Sequence, residues 1–216
     1  CQNTSCPAQL KGRIEHFVSK KAMNIEGLGK QLIDQMVENG LIKDFSDIFR
    51  LDIQSIKKLD RMGEKSASNL VSAIKNSKSV PLWKFIYGLG IRNVGEHLAK
   101  IISYHFKNIQ SLLNASTEEF QMIFEIGPIV TKSIVDFLGS NSNSAIISKC
   151  IESGLVFDDP ISSTKTSILE GQHFVFTGTL EKFSRQDAKE LVEAYGGKAI
   201  STVTNKTDYL VAGKGV

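Results

Sequence analysis

A glycine-centred pattern recurs four times in the first two thirds of the chain. The aligned glycines are Gly29, Gly63, Gly95 and Gly127, separated by 34, 32 and 32 residues. Each follows an apolar residue and precedes a run whose apolar positions repeat with the period of a helix. Because glycine disfavours a helix interior by about 1 kcal/mol relative to alanine, these interruptions predict a repeated unit of helix, tight turn and second helix.

The second helix of each unit is predicted to begin directly after its glycine. The first N–H groups of a helix have no partner within it, and the positive end of the helix dipole lies behind them, so such a terminus favours a phosphate oxygen. The glycines permit positive φ and the close approach of another backbone. The alternative is a helical repeat whose glycines only turn corners.

Basic side chains near the turns favour the phosphate interpretation. Residues 1–139 carry 18 Lys and Arg against 14 Asp and Glu, which permits nucleic-acid binding. The fourth unit is expected to bind less strongly, because Glu125 repels phosphate and Pro128 lacks a backbone N–H. The candidate contacts at the turns are Gly27, Leu28, Gly29, Lys30, Arg61, Gly63, Glu64, Lys65, Arg92, Asn93, Gly95, His97, Gly127 and Lys132.

Three segments occur in one order along the chain: "HFVSKKAMNIEGLG", "FIYGLGIRNVGEHLA" and "FVFTGTL". Together they resemble bacterial NAD-dependent DNA ligases, and the resemblance covers essentially the whole chain. It implies a mainly α fold, with four tandem helix-hairpin-helix motifs in residues 23–139 and a helix and linker in residues 140–167. A partial α/β BRCT domain, truncated, is expected in residues 168–216. The expected role is to grip nicked double-stranded DNA through hairpin backbones.

Two cysteines near the start, Cys1 and Cys6, are candidate metal ligands. Structural zinc commonly takes thiolates from two closely spaced pairs, so one pair alone leaves zinc and ordinary surface thiols both open. The ligase resemblance implies that residues 1–22 hold the second half of a four-cysteine zinc finger and a connector. We therefore expect the chain to be a piece of a longer protein. Cys150 follows an apolar helical run and is expected to be buried.

The last quarter of the chain has a different pattern. "HFVFTG" predicts a strand that ends in a turn, "SRQDAKELVEAYGG" a helix, and "KAISTV" and "TDYLVAG" two further strands. This order resembles the first part of a BRCT domain, for which a DNA or protein contact is expected. Thr177 and Gly178 match the phosphate-holding pair of phosphopeptide-binding BRCT domains, and a simple strand-ending turn is the alternative.

No candidate catalytic residue emerges from the sequence. The ligases use a lysine in a K-x-D-G motif, and "KLDR" (58–61) lacks the glycine. The resemblance therefore implies that NAD and Mg2+ serve an adenylation domain elsewhere in the ligase and that this chain alone is inactive. We expect a monomer in the bacterial cytoplasm with no membrane contact. The alternatives are a non-catalytic repair or clamp-loader scaffold and a helical protein-interaction array.

Overall fold

The structure, a computed structural model, describes residues 7–123, 125–158, 169–180 and 185–214. The chain divides into two compact units, Cys1–Pro160 and Ile161–Val216. Cys1, Cys6 and the predicted linker segment 161–167 lie outside the described residues. Within the described part of the chain, no helix is long and apolar enough to cross a membrane.

The first unit is mainly helical, as predicted. Strands β1 (Ser79–Pro81) and β2 (Val156–Asp158) pair in parallel beside the helices. The helices are α1 (Pro7–Val18), α2 (Lys30–Glu38), a 3-10 helix (Phe45–Arg50), α3 (Ile53–Ile56), α4 (Glu64–Asn76), α5 (Leu82–Gly88), α6 (Glu96–Phe106), α7 (Ile109–Leu113), α8 (Thr117–Met122), α9 (Pro128–Leu138) and α10 (Asn141–Glu152).

The apolar faces of these helices share one hydrophobic core. The Phe17 ring stacks on Phe45 at a centroid distance of 4.5 Å and meets Phe85 edge-on at 6.2 Å, so α1 packs against both the 3-10 helix and α5. Cys150 is fully buried in this core, as predicted, and burial raises the pKa of its thiol to about 12. The core fixes the positions of the turns that precede α2, α4, α6 and α9.

The second unit contains the predicted order of strand, helix and two strands. These elements are β3 (His173–Thr177), α11 (Arg185–Ala194), β4 (Lys198–Ala199) and β5 (Tyr209–Ala212). The sheet order is β4-β3-β5, and both pairings are parallel. Phe174 on the central strand stacks on Tyr209 with ring centroids 4.8 Å apart. The unit is thus a small α/β domain, as the sequence predicted.

Candidate nucleic-acid interface

Each aligned glycine is the N-cap of the helix that follows its turn. Gly29, Gly63, Gly95 and Gly127 have φ of −85°, −80°, −84° and −82°, with extended ψ. These four glycines therefore do not use the positive φ that glycine permits. A Cβ atom built on any of the four meets nothing within 4 Å. The glycines thus leave open space in front of the helix starts, and the backbone itself does not require glycine there.

The positive φ lies two residues earlier in every copy. Gly27, Arg61, Asn93 and Glu125 have φ of 86°, 61°, 63° and 73°. A left-handed conformation costs a residue other than glycine roughly 1–2 kcal/mol. The three later copies retain it all the same, so the four turns share this left-handed position despite their different sequences.

No side chain in the described part of the chain caps the helix starts after these turns. In α2 the N–H of Ile33 donates to the Gly29 carbonyl at 3.0 Å. The N–H groups of Lys30 and Gln31, which come earlier in the same helix, have no acceptor among the described residues. Other helices of the unit do carry side-chain caps, provided by Asp44, Asp52, Asn108 and Ser116. The turns thus expose bare backbone donors at the positive end of a helix, an arrangement suited to an anion.

We name the turns hairpin 1 (residues 25–29), hairpin 2 (59–63), hairpin 3 (91–95) and hairpin 4 (123–127). Hydrogen bonds link them in two pairs. The side-chain oxygen of Gln35 accepts from the N–H of Asp60 at 2.8 Å, and the Ser133 hydroxyl accepts from the Asn93 side-chain amide at 3.0 Å. Gln35 and Ser133 both lie six residues after their N-cap glycines. The helix after hairpin 1 therefore bonds to hairpin 2 through its sixth residue, and the helix after hairpin 4 bonds to hairpin 3 through the equivalent residue.

Four basic side chains at hairpins 1 to 3 face solvent. Lys30, Arg61, Lys65 and Arg92 are all exposed, and none makes an ion pair within the described part of the chain. Each cation can therefore approach a phosphate without first giving up an acidic partner. Because these side chains lie beside open helix starts, one surface offers a phosphate both basic side chains and backbone N–H groups.

Hairpin 4 differs from the others in charge. The Lys132 ammonium pairs with Asp136 at 3.0 Å, and His97 Nε2 lies 2.7 Å from the Glu125 carboxylate. Pro128 occupies the first helical position and has no N–H, while Ile129 is 75% exposed at the second. These contacts agree with the prediction that the fourth unit binds phosphate less strongly.

Comparison with known protein families finds matching segments in both units. The "SAM-like Helix-hairpin-helix tandem" family matches residues 19–76, the "Helix-hairpin-helix motif" family residues 84–147 and the "BRCA1 C Terminus (BRCT) domain" family residues 164–215. A DNA ligase of Syntrophus aciditrophicus is 46% identical over 214 residues, 99% of this chain. Nearly the whole chain is therefore homologous to one segment of this DNA ligase. Further ligases, from Koribacter versatilis and Halothermothrix orenii, are 42% and 44% identical over 99% of the chain.

The homology to ligases covers nearly all of the chain but only part of each relative. In all three ligases the match spans 32% of the relative's length. The matched families divide the chain into two helix-hairpin-helix segments and one BRCT segment, in the order that the sequence predicted.

Three of the predicted contacts can act only in restricted ways. The Leu28 side chain is 4% exposed and packs in the core, so only its backbone can reach a ligand. The Glu64 carboxylate pairs with Lys57, which leaves the Glu64 N–H as its possible contribution. Asn93 uses its side-chain amide to bind Ser133. The contacts predicted from the sequence did not include the N–H of Gln31, although its position two residues after Gly29 indicates a free donor at the helix start.

The Thr177–Gly178 pair of the BRCT segment makes the contacts of a turn. Gly178 has φ of 70°, and its carbonyl accepts a hydrogen bond from Arg185 Nη2 at 3.1 Å. The Thr177 carbonyl accepts from the N–H of Gly213 at 2.8 Å. These hydrogen bonds belong to a turn at the end of β3, which agrees with the alternative prediction of a strand-ending turn.

The predicted zinc ligands, Cys1 and Cys6, lie outside the described residues. Within the described ranges, no group of three or more His, Cys, Asp or Glu side chains could hold a metal ion. The zinc hypothesis therefore rests on the sequence resemblance alone.

Proposed function

We propose that this chain holds nicked duplex DNA for an NAD-dependent DNA ligase. The observation that carries the proposal is the set of uncapped, glycine-preceded helix starts, which offer backbone N–H groups with open space before them. Backbone donors and the exposed lysines and arginines beside them contact phosphates, and such contacts position a protein on a duplex without reading its sequence. A nick-sealing enzyme requires this indifference to sequence.

The chemistry of ligation belongs, in this proposal, to another part of the ligase. The chain contains no K-x-D-G lysine. When bound there, NAD supplies the adenylate that activates the 5′-phosphate at the nick, with Mg2+ as the accompanying metal. The residues of this chain hold the duplex in place around that site. We further propose that the ligase acts as a cytoplasmic monomer and that its BRCT segment makes an accessory contact with DNA or protein.

Salt-dependent binding tests this function. A fluorescently labelled nicked duplex is titrated with the chain at several salt concentrations and followed by anisotropy, with a random-sequence nicked duplex for comparison. We expect log affinity to fall linearly with log salt, with a slope of about −0.9 for each phosphate contact, and to be equal for the two sequences. Affinity that is independent of salt, or that depends on base sequence, would contradict the proposal.

We also propose that Cys1 and Cys6 supply two of the four thiolates of a structural zinc site in the full-length ligase. Thiolate ligands must lose their protons to bind zinc, so acid or a chelator should release the metal. Elemental analysis of the full-length ligase is expected to give about one zinc per chain, and less in the Cys6→Ser variant. Cys150→Ser serves as the matched control. Equal zinc in both variants would refute the assignment.

A further inference from the structure

A group of lysines surrounds the tryptophan of α5, outside the hairpin turns. Lys100 Nζ lies 4.8 Å from the centroid of the Trp83 ring, and Lys84 Nζ lies 5.7 Å from it. The Glu96 carboxylate binds Lys100 at 3.1 Å and Lys21 at 3.5 Å. We call these five residues the Trp83 cluster. It brings together the segment before hairpin 1 and the two helices that flank hairpin 3.

The two outer lysines of the Trp83 cluster are only partly compensated by protein charges. Lys84 makes its contact with the face of an aromatic ring and has no acidic partner among the described residues. A cation–π contact stabilises an ammonium group but leaves its charge in place. Lys21 reaches Glu96 at the long distance of 3.5 Å, and its side chain remains 72% exposed. Both lysines can therefore bind an anion from solution.

The cluster adjoins the proposed DNA surface. Lys84 lines a groove of about 920 Å³ together with residues of hairpin 1 and α4. Its described lining residues are mostly neutral, and Glu26 is the one carboxylate among them. The amides and hydroxyls include Asn24, Ser66, Asn69 and Asn76. Such groups commonly bind phosphate and sugar oxygens. At the other side of the cluster, Glu96 directly follows the N-cap glycine of hairpin 3.

We propose that Lys21 and Lys84 form an additional contact with the sugar–phosphate backbone of the duplex, between hairpins 1 and 3. This inference rests on the proposed DNA-holding function. Glu96 is the internal counterion of Lys21, and a DNA phosphate takes its place when the duplex binds. The carboxylate therefore weakens DNA binding, whereas the lysines strengthen it, and substitutions at the two kinds of residue must act in opposite directions.

The test is the salt dependence of nicked-duplex binding by charge variants of the chain. Lys84→Ala is expected to weaken binding and to reduce the salt slope by about one unit, while Lys84→Arg retains both. Glu96→Gln is expected to tighten binding by about two- to fivefold, the range of a single exposed charge interaction. Lys149→Ala is the matched control, because it removes the same charge from a lysine that is paired with Asp44 on the 3-10 helix side.

The opposite signs separate a lost DNA contact from general damage to the fold, since damage cannot tighten binding. Unchanged slope in Lys84→Ala, or unchanged or weaker binding in Glu96→Gln, would overturn the inference while the wild-type chain still bound DNA. A cluster that serves an acidic protein partner instead would give this same result. If the wild-type chain showed no salt-dependent binding at all, the proposed function would fail and this inference with it.

Discussion

Substitution of Gly29 by alanine separates DNA contact from folding more cleanly than any other change at the hairpins. Gly29 has φ of −85° and an extended ψ of 172°, a conformation that alanine adopts without strain. An added Cβ meets nothing within 4 Å. The methyl group therefore projects into the space through which a phosphate must approach the N–H groups of Lys30 and Gln31.

The expected change in stability is small. Alanine is the poorer N-cap by roughly 1 kcal/mol, but it also reduces the conformational entropy of the unfolded chain, which is worth about 0.4–1 kcal/mol in the opposite direction. The two contributions nearly cancel, so the free energy of unfolding should change by less than about 0.5 kcal/mol. A hydrogen bond to a charged group contributes about 1.5–3 kcal/mol, so losing one should weaken DNA binding about tenfold or more.

The assay compares three alanine variants by urea denaturation and by anisotropy with a nicked duplex. Gly12→Ala, in the middle of α1, is the matched control, because an added Cβ there also meets nothing. It should stabilise the fold by about 1 kcal/mol and leave DNA binding unchanged. Gly127→Ala should weaken binding less than Gly29→Ala, since Pro128 has already removed a donor. A folded Gly29→Ala variant that binds as tightly as wild type would show that no phosphate approaches the helix start through this space.

Three further outcomes are expected. Lys30→Ala and Lys65→Ala should each lower the salt slope of nicked-duplex binding by about one unit, and the ion-paired Lys132 should matter less, whereas equal losses at all three would contradict the ranking. Thr131→Val should raise the free energy of unfolding by about 1 kcal/mol in urea, because the buried Thr131 hydroxyl has no hydrogen-bond partner among the described residues; destabilisation would show that it has one. With Cys1 and Cys6 replaced by serine, the remaining thiol, Cys150, should react with a thiol reagent near pH 8 only after unfolding, since burial raises its pKa; rapid reaction in the folded chain would contradict this.

The repeated helix starts could be predicted from the sequence because glycine disfavours helices and the apolar period is visible on both sides of each turn. The backbone conformation within the turns could not. Arg61, Asn93 and Glu125 occupy the left-handed position that Gly27 occupies in the first copy. Asparagine tolerates this conformation, so Asn93 is compatible with it locally, but Arg61 and Glu125 give no sign of it and adopt it against local preference.

The ion-pair partners of the charged residues could not be predicted from the sequence either. His97 and Glu125 meet across 28 residues, and Lys21 and Glu96 across a longer separation, so only the packed fold brings them together. Lys84 could not be predicted as a DNA contact because it lies in a helix between the recurring turns. The sequence therefore located the backbone part of the candidate site, whereas the grouping of its charges emerged only from the tertiary structure.

Amide hydrogen exchange, measured on the chain with and without nicked duplex, reports directly on DNA contact at the helix starts. The free N–H groups after the N-cap glycines are open to solvent, so they should exchange quickly in the free chain. We predict that DNA slows exchange at residues 29–31, 63–65 and 95–97, with a smaller effect at 127–129. Saturating DNA that leaves these segments unprotected, or that protects only surfaces away from the hairpins, would contradict the account.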